Sequence, residues 1–268
     1  MAEAGIQRVR ALAWSFAQRD LKARFKDTAL GWIWSLAIPL ATLAVYSVVF
    51  GLIFQAGAPR FGTSREPIYA VWLFCGLVAF GFFSGGVLRG IDALIGSSTL
   101  MRKVYFPPYA PVLGSLIAGT FQTLVELALV LIVLAALGNV STTWLLVPVW
   151  AALFFAFTAG IAMVFAIASA HLRDIAQITG VLMQFVFFAT PVLYPIDQIP
   201  PQALGGWLRT LLEANPIGHF VEMFRDLTYG LRPGEVGDWL YLGAAAAIAL
   251  ILGVAVSERF GRDLAEKM

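Results

Sequence analysis

The sequence predicts an all-α integral membrane protein with six transmembrane helices. Of the 268 residues, 60% are hydrophobic and only 13% are charged, and the apolar residues gather into six long runs. A helix needs about 20 such residues to cross the roughly 30 Å hydrocarbon core of a bilayer. No large soluble domain fits between the runs, so residues 1–268 are predicted to form one transmembrane domain. The predicted spans are 30–56, 68–91, 109–137, 144–170, 175–196 and 239–257.

The basic residues predict the orientation of these spans. With the N-terminus in the cytoplasm, 13 of the 18 Lys and Arg residues lie on the cytoplasmic side, as the positive-inside rule requires. The N and C termini are then both cytoplasmic. The first 29 residues carry six basic residues and lack a continuous apolar core, so they are not expected to be a cleavable signal.

Two segments on the predicted cytoplasmic side have helical patterns. Residues 6–27 are predicted to form an amphipathic helix in the membrane surface, because apolar residues recur there at helical spacing. A basic tail held only by charge is the alternative. Residues 98–106 are predicted to form a brief helix that ends before Pro107. This helix is either a docking element for a soluble partner or a simple connector.

The only long loop, residues 197–238, lies on the predicted outer side and is rich in apolar residues. Prolines divide this region into short pieces, among them Pro191, Pro195 and Pro216. Short helices that enter the membrane and return are the favoured interpretation for 191–229, because irregular backbone at that depth needs protein or a water-filled cavity beside it. A flat outer cap is the alternative.

Polar residues inside the spans are costly in a bilayer and are therefore candidates for function. They follow helical stripes in three spans, with aromatic residues at the outer end of the fifth. Such residues either line a hydrated path or satisfy one another inside the bundle. The aromatic residues either pack or provide faces along which sugar rings slide. The candidates for a translocation path are Ser35, Thr42, Tyr46, Gln122, Glu126, Gln177, Gln184, Phe185 and Phe188.

No catalytic or metal-binding constellation is predicted. His171 and His219 are the only histidines, and they fall in loops on opposite sides of the membrane. Cys75 is the only cysteine, which excludes an internal disulfide. No Gly-Lys pair occurs, so the chain has no phosphate-binding loop of the Walker type.

Five motifs, in order along nearly the whole chain, resemble the membrane permease subunits of type-2 ABC exporters, in the branch that exports polysaccharides such as O-antigen, capsule, teichoic acid or lipid-linked galactan. The motifs are RDLKARFKDTALGWIWSLAIPL at 19–40, LMRKVYFPP at 100–108, HLRDI at 171–175, TPVLYP at 190–195 and ANPIGHFVEMFRDLTYG at 214–230.

This resemblance implies a homodimer of the permease that binds two copies of a separate ABC ATPase in a bacterial inner or plasma membrane. ATP and Mg would bind to the ATPase, and the chain itself would hold no cofactor. The substrate would be a polyprenyl-diphosphate-linked glycan, picked up from the inner leaflet and moved outward along a path between the two copies. Membrane lipid would be a further partner, and no nucleic-acid partner is expected.

The resemblance also assigns roles to segments. The basic helix is similar to an interface helix, and Arg19, Lys22, Arg24 and Lys26 would attract the diphosphate. The segment after the second span is similar to a coupling helix that contacts the ATPase; its residues are Ser98, Leu100, Met101, Arg102, Lys103, Tyr105 and Phe106. The pieces at 191–229 are similar to an outer gate; the gate residues are Pro191, Tyr194, Pro195, Asn215, Pro216 and Arg225.

Three other functions remain open from the sequence. A type-2 ABC permease for drugs or small lipids shares the fold and the partner but carries different cargo. A membrane transferase acting on polyprenyl-linked sugars needs a carboxylate or metal site, and no paired acidic motif supplies one. A proton-coupled secondary transporter would depend on Glu126 alone.

Overall fold

The computed structural model describes residues 2–24, 33–55, 57, 59, 62, 67–101, 103, 106–200 and 206–261. Over these ranges the chain is helical and contains no β-strand. Short 3₁₀ or π-helical turns lie at Ser47–Ile53, Thr142–Leu146, Ile196–Gln198 and Asp226–Gly230. The α-helices are α1 (Ala2–Arg24), α2 (Trp34–Tyr46), α3 (Tyr69–Gly96), α4 (Ser98–Met101), α5 (Tyr109–Ala136), α6 (Val147–His171), α7 (Asp174–Phe188), α8 (Trp207–Glu213), α9 (Pro216–Arg225) and α10 (Val236–Phe260).

Five helical segments in the described ranges are long and apolar enough to cross a membrane. Each coincides with a predicted span, which confirms a multi-pass membrane protein built from helices. These segments are Trp34–Ile53, Tyr69–Gly96, Tyr109–Ala136, Thr142–His171 and Val236–Phe260.

The remaining predicted span, 175–196, has a different form. Helix α7 contains 15 residues, so it extends about 22 Å, less than the hydrocarbon core. It ends at Phe188, and turns follow through Tyr194. The helix therefore ends eight residues before the predicted end of the span at 196. Pro191 explains the early end, because a proline lacks the amide donor that a helix needs and disfavours helical geometry in the residue before it.

The core lies where α6 packs against α3 and α10. Gly160 of α6 and Gly253 of α10 face each other so closely that a side chain on Gly160 would collide with the Ala249 carbonyl. Phe154 and Trp150 of α6 add stacked and tilted aromatic contacts to α9. These contacts fix α9 beside the long helices.

One end of the bundle is formed by α1, α4 and the last turn of α10, and we call it the α1 end. Phe16 of α1 is buried above Gly114 of α5, where a side chain would clash. The Phe16 ring lies 5.5 Å from the ring of Phe106. Pro108 contacts Gly261 after α10. Helix α1 thus packs along the bundle. Of the predicted helix at 6–27, residues 6–24 lie in α1, and residues 25–27 lie outside the described residues.

The opposite end, which we call the α9 end, is held together by polar side chains. Asn139 is fully buried, and its amide Nδ2 donates to the Thr228 and Tyr229 carbonyls at 2.9 and 3.0 Å. The Thr143 hydroxyl donates to the Leu227 carbonyl at 2.8 Å. These bonds join the α5–α6 hairpin to the turn after α9.

Candidate functional site: an open groove between two fixed ends

An open groove runs between α2, α3, α5 and α7. Its cavity volume is about 600 Å³. Five of the nine predicted path residues line it, and they come from three different helices. They are Thr42, Tyr46, Glu126, Gln184 and Phe188.

Aromatic rings form one wall of this groove. The Tyr46 ring of α2 stacks against the Phe187 ring of α7, with centroids 6.3 Å apart and an interplanar angle of 23°. The Phe80 ring of α3 meets Phe187 edge-on at 5.1 Å. Phe188 is 63% exposed and lines the cavity with its side chain. The groove therefore combines flat apolar faces with hydroxyl, amide and carboxyl groups.

Glu126 is held by its neighbour on the same helix. The Gln122 amide donates to Glu126 Oε1 at 2.8 Å, and it also donates to the Ser35 backbone carbonyl. Gln122 thereby links α5 to α2 behind the groove. The spacing of four residues predicted the shared helix face, and the contact with α2 is a property of the tertiary packing.

The other four predicted path residues lie elsewhere. Ser35 is buried, and Gln122 forms the link just described without lining the cavity. Gln177 and Phe185 are exposed and also lie outside the cavity lining. In the isolated chain these last two side chains do not join the groove.

At the α9 end, Arg225 connects three elements. It is 2% exposed, and its guanidinium donates at 2.6 Å each to the carbonyls of Pro191 and Val192 in the turn after α7. It also donates to the Trp72 carbonyl of α3 at 3.3 Å, and its Cζ lies 3.6 Å from the centre of the Trp72 ring. Arg225 pairs with Glu222 at 2.6 Å. This arginine fastens α9 to α3 and to the turn.

Asn215 and Tyr194 stabilise the same turn. The Asn215 side chain accepts from the Ile217 amide at the start of α9 and donates to the Ala189 carbonyl at 3.0 Å. The Tyr194 hydroxyl donates to the Phe188 carbonyl at 2.6 Å. The six predicted gate residues thus fall in or beside this turn. Pro195 precedes a 3₁₀ turn, and Pro216 is the first residue of α9.

At the α1 end, helix α4 covers Ser98–Met101 of the predicted helix at 98–106. Lys103 lies in a turn, and Phe106 lies outside any helix. Leu100 is 42% exposed, whereas Met101 and Phe106 are buried. Lys103 is exposed. The predicted Arg102 and Tyr105 lie outside the described residues.

A second cavity, of about 500 Å³, lies at the α1 end between α1, α3 and α5. Of the four predicted substrate-binding cations, Arg19 lines it. Lys22 is exposed and does not line it. The side chain of Arg24 and the whole of Lys26 lie outside the described residues. Arg89 of α3 also lines the cavity, and no site was predicted there. The only feature of the sequence that distinguishes Arg89 is that it is a charged residue near the end of an apolar run.

Five apolar helical segments of membrane length, packed around an open groove, define the class of protein: a multi-pass helical membrane protein. In the described ranges, no group of three His, Cys, Asp or Glu residues is placed to hold a metal. Residues 11–229 match the family described as ABC-2 type transporter. The chain belongs to this family.

Similar proteins include two O-antigen export system permease proteins, both named RfbA. The one from Myxococcus xanthus is 27% identical over 261 residues, which cover 97% of this chain and 96% of that protein. One from Klebsiella pneumoniae is 26% identical over 251 residues, covering 92% and 91%. The polysialic acid transport protein KpsM of Escherichia coli is 22% identical over 265 residues, 96% of each chain.

Proposed function

We propose that this chain is the permease subunit of an ATP-driven ABC exporter that moves a polyprenyl-diphosphate-linked polysaccharide from the cytoplasmic to the outer side of a bacterial inner or plasma membrane. The observation that carries the proposal is the open groove, in which aromatic and polar side chains converge. The similarity to O-antigen and polysialic acid permeases over nearly the whole chain supports this cargo class.

The groove suits a sliding sugar chain. Aromatic faces such as Tyr46 pack against the apolar faces of sugar rings, and short polar groups such as Thr42 exchange hydrogen bonds with passing hydroxyls. None of these contacts is strong alone, so a polymer can advance without being trapped. The chain itself performs no chemistry in this scheme.

A second copy would close the open side of the groove. Ile38 and Val45 of α2 are 61% and 60% exposed, and Phe185 of α7 is 69% exposed. A homodimer that faces these surfaces toward each other turns two half-grooves into one conduit. The two predicted path residues outside the groove, Gln177 and Phe185, then line the joint between the copies.

The α1 end is cytoplasmic in this proposal, and a separate ATPase that binds ATP and Mg engages α4. Leu100 is the exposed apolar residue of α4. The C-terminal end of α3 directly precedes α4, and Trp72 lies near the N-terminal end of α3. Its 28 residues extend about 42 Å. Closure of the ATPase therefore tilts α3 and moves the contact between Trp72 and Arg225, which opens the turn at the α9 end.

The test is co-expression with ABC ATPase subunits encoded beside the gene, purification, and reconstitution with lipid-linked glycan. We expect a stable complex that hydrolyses ATP and moves the glycan. Leu100→Glu should uncouple hydrolysis from transport or prevent ATPase binding, because it places a charge on the apolar docking surface. Val140→Glu is the matched control, since Val140 is 58% exposed at the α9 end, away from the cytoplasm.

Two results would overturn this proposal. One is transport of glycan by the purified chain without any ATPase. The other is an ATPase complex that is disrupted by Val140→Glu and unaffected by Leu100→Glu, which would reverse the orientation.

A further inference from the structure

We infer that the cavity at the α1 end binds the head group of the lipid-linked substrate, with Arg19 and Arg89 on its diphosphate and Asp92 on its first sugar. This inference rests on the proposed function and names the binding site within it. The polar side chains that line the cavity are Arg19, Asp20, Arg89, Asp92 and Ser115.

The cavity lies where a lipid head group would arrive. Its floor is α1, the helix predicted to lie at the membrane surface, and its walls are the ends of α3 and α5. Apolar residues such as Leu21 and Ala118 share the lining with the charged ones. A ligand with a charged head and an apolar tail fits this mixture.

Arg89 is positioned by two glycines. Its guanidinium occupies the space where Gly85 of α3 and Gly119 of α5 would carry side chains. A Cβ on Gly85 would lie 2.7 Å from Arg89 Nη1, and one on Gly119 would collide with Nη2. The planar fork is therefore held between two backbones. Such a fork binds two phosphate oxygens at once, whereas a lysine offers a single flexible point charge.

Arg19 supplies a second fork that exchanges partners easily. Its guanidinium lies 3.4 Å from Asp20, and the two side chains are 52% and 31% exposed. An exposed ion pair of this kind contributes little stability. A phosphate group that enters the cavity can therefore displace the Asp20 carboxylate.

The carboxylates argue against a site for a simple anion. Asp20 and Asp92 line the same cavity as the two arginines, so the charges of the described residues in its lining sum to zero. A carboxylate repels phosphate, but it accepts hydrogen bonds strongly from hydroxyl groups. A ligand that satisfies both kinds of group carries phosphates and hydroxyls side by side. A glycosyl diphosphate on a prenyl chain has this composition.

Binding measurements in nanodiscs of phosphatidylcholine test the inference on the full complex with its ATPase. The probes are farnesyl diphosphate, farnesyl diphosphate carrying one N-acetylhexosamine, inorganic pyrophosphate, and short-chain phosphatidylglycerol. The variants are Arg89→Lys, Gly119→Ala and Asp92→Asn. The matched control is Arg259→Gln, which removes an exposed arginine at the same end of the bundle, outside the cavity.

We expect Arg89→Lys and Gly119→Ala each to weaken both farnesyl probes about tenfold, the equivalent of one charge-assisted hydrogen bond. Gly119→Ala keeps every charge and only displaces the fork, so it separates geometry from charge. Asp92→Asn should weaken only the sugar-bearing probe. Arg259→Gln should change neither. Elution as a single complex checks that each variant is folded.

Unchanged binding of the farnesyl probes in both Arg89→Lys and Gly119→Ala overturns the inference. Pyrophosphate or phosphatidylglycerol that binds as tightly as the sugar-bearing probe, with the same losses, also overturns it and marks a general anion or phospholipid site. If export proceeds while these variants bind normally, the cavity assignment fails and the proposed function stands. If no ATPase complex forms and the cavity still binds the probes as expected, the proposed function fails alone.

Discussion

Replacing Arg225 with glutamine should destabilise the α9 end more than any other single loss of charge there. The arginine is 2% exposed and donates to carbonyls of Pro191, Val192 and Trp72. Its partner Glu222 is 41% exposed at the side chain, so water replaces that bond at little cost. The three carbonyls and the Trp72 ring carry the effect.

Removing one member of a buried charged interaction costs about 3–5 kcal/mol, because the partners stay buried without a donor. At about 2–4 °C per kcal/mol for a chain of 150–250 residues, the melting temperature should fall by about 6–20 °C. Arg225→Lys should give a smaller loss, because an ammonium group keeps the charge but lacks the fork that reaches several carbonyls.

The single cysteine provides a local assay. Cys75 is fully buried on α3 beside the Arg225 contact, and the Thr228 hydroxyl lies 3.8 Å from its sulfur. A thiol-reactive dye should therefore label Cys75 at a lower temperature in Arg225→Gln than in the native chain. Arg209→Gln is the control, since Arg209 pairs with Glu213 at the surface and should leave labelling unchanged. If Cys75 in Arg225→Gln is labelled only at the temperature at which the native chain is labelled, the role assigned to Arg225 is refuted.

Three further predictions concern other parts of the chain. Gly160→Ala should lower the free energy of unfolding by about 1–3 kcal/mol, since the new methyl group meets the Ala249 carbonyl of α10. Gly243 of α10 faces open space, so Gly243→Ala is the control and should not lower it. A lower melting temperature for Gly243→Ala than for Gly160→Ala would contradict this account of the packing. Glu126→Gln should keep ATP-driven export in vesicles treated with an uncoupler, and loss of export there would favour the proton-coupled alternative. Burial, and after it the nearby Glu222 carboxylate, raises the pKa of Asp226, in the turn after α9, to about 6. The folded chain thus holds this proton more tightly than the unfolded chain, so the contribution of Asp226 to the free energy of unfolding falls as the pH rises from about 4 to above 6. Asp226→Asn should remove this decrease of the melting temperature with pH. An identical decrease in both proteins would show that another group causes it.

The long apolar helices were predictable from the sequence because the bilayer imposes a simple requirement of length and hydrophobicity. The observed ends of α5, α6 and α10 lie within three residues of the predicted spans, and α3 extends five residues beyond its predicted end. Helix α7 ends before the predicted span does, because Pro191 acts through local backbone geometry and not through hydrophobicity. The same periodicity placed Gln122 and Glu126 on one helix face, since residues four apart are neighbours.

The sequence by itself therefore determined the class of protein, the number of apolar runs and the polar residues within those runs that are candidates for function. Only the tertiary structure decided which of those residues share a groove, that Gln177 and Phe185 lie outside it, and that Arg89 joins Arg19 at a second cavity. The physical reason is that hydrophobicity and charge are properties of single residues. Contacts between helices instead depend on small-residue gaps, such as Gly119 beneath Arg89, which no period along one helix encodes.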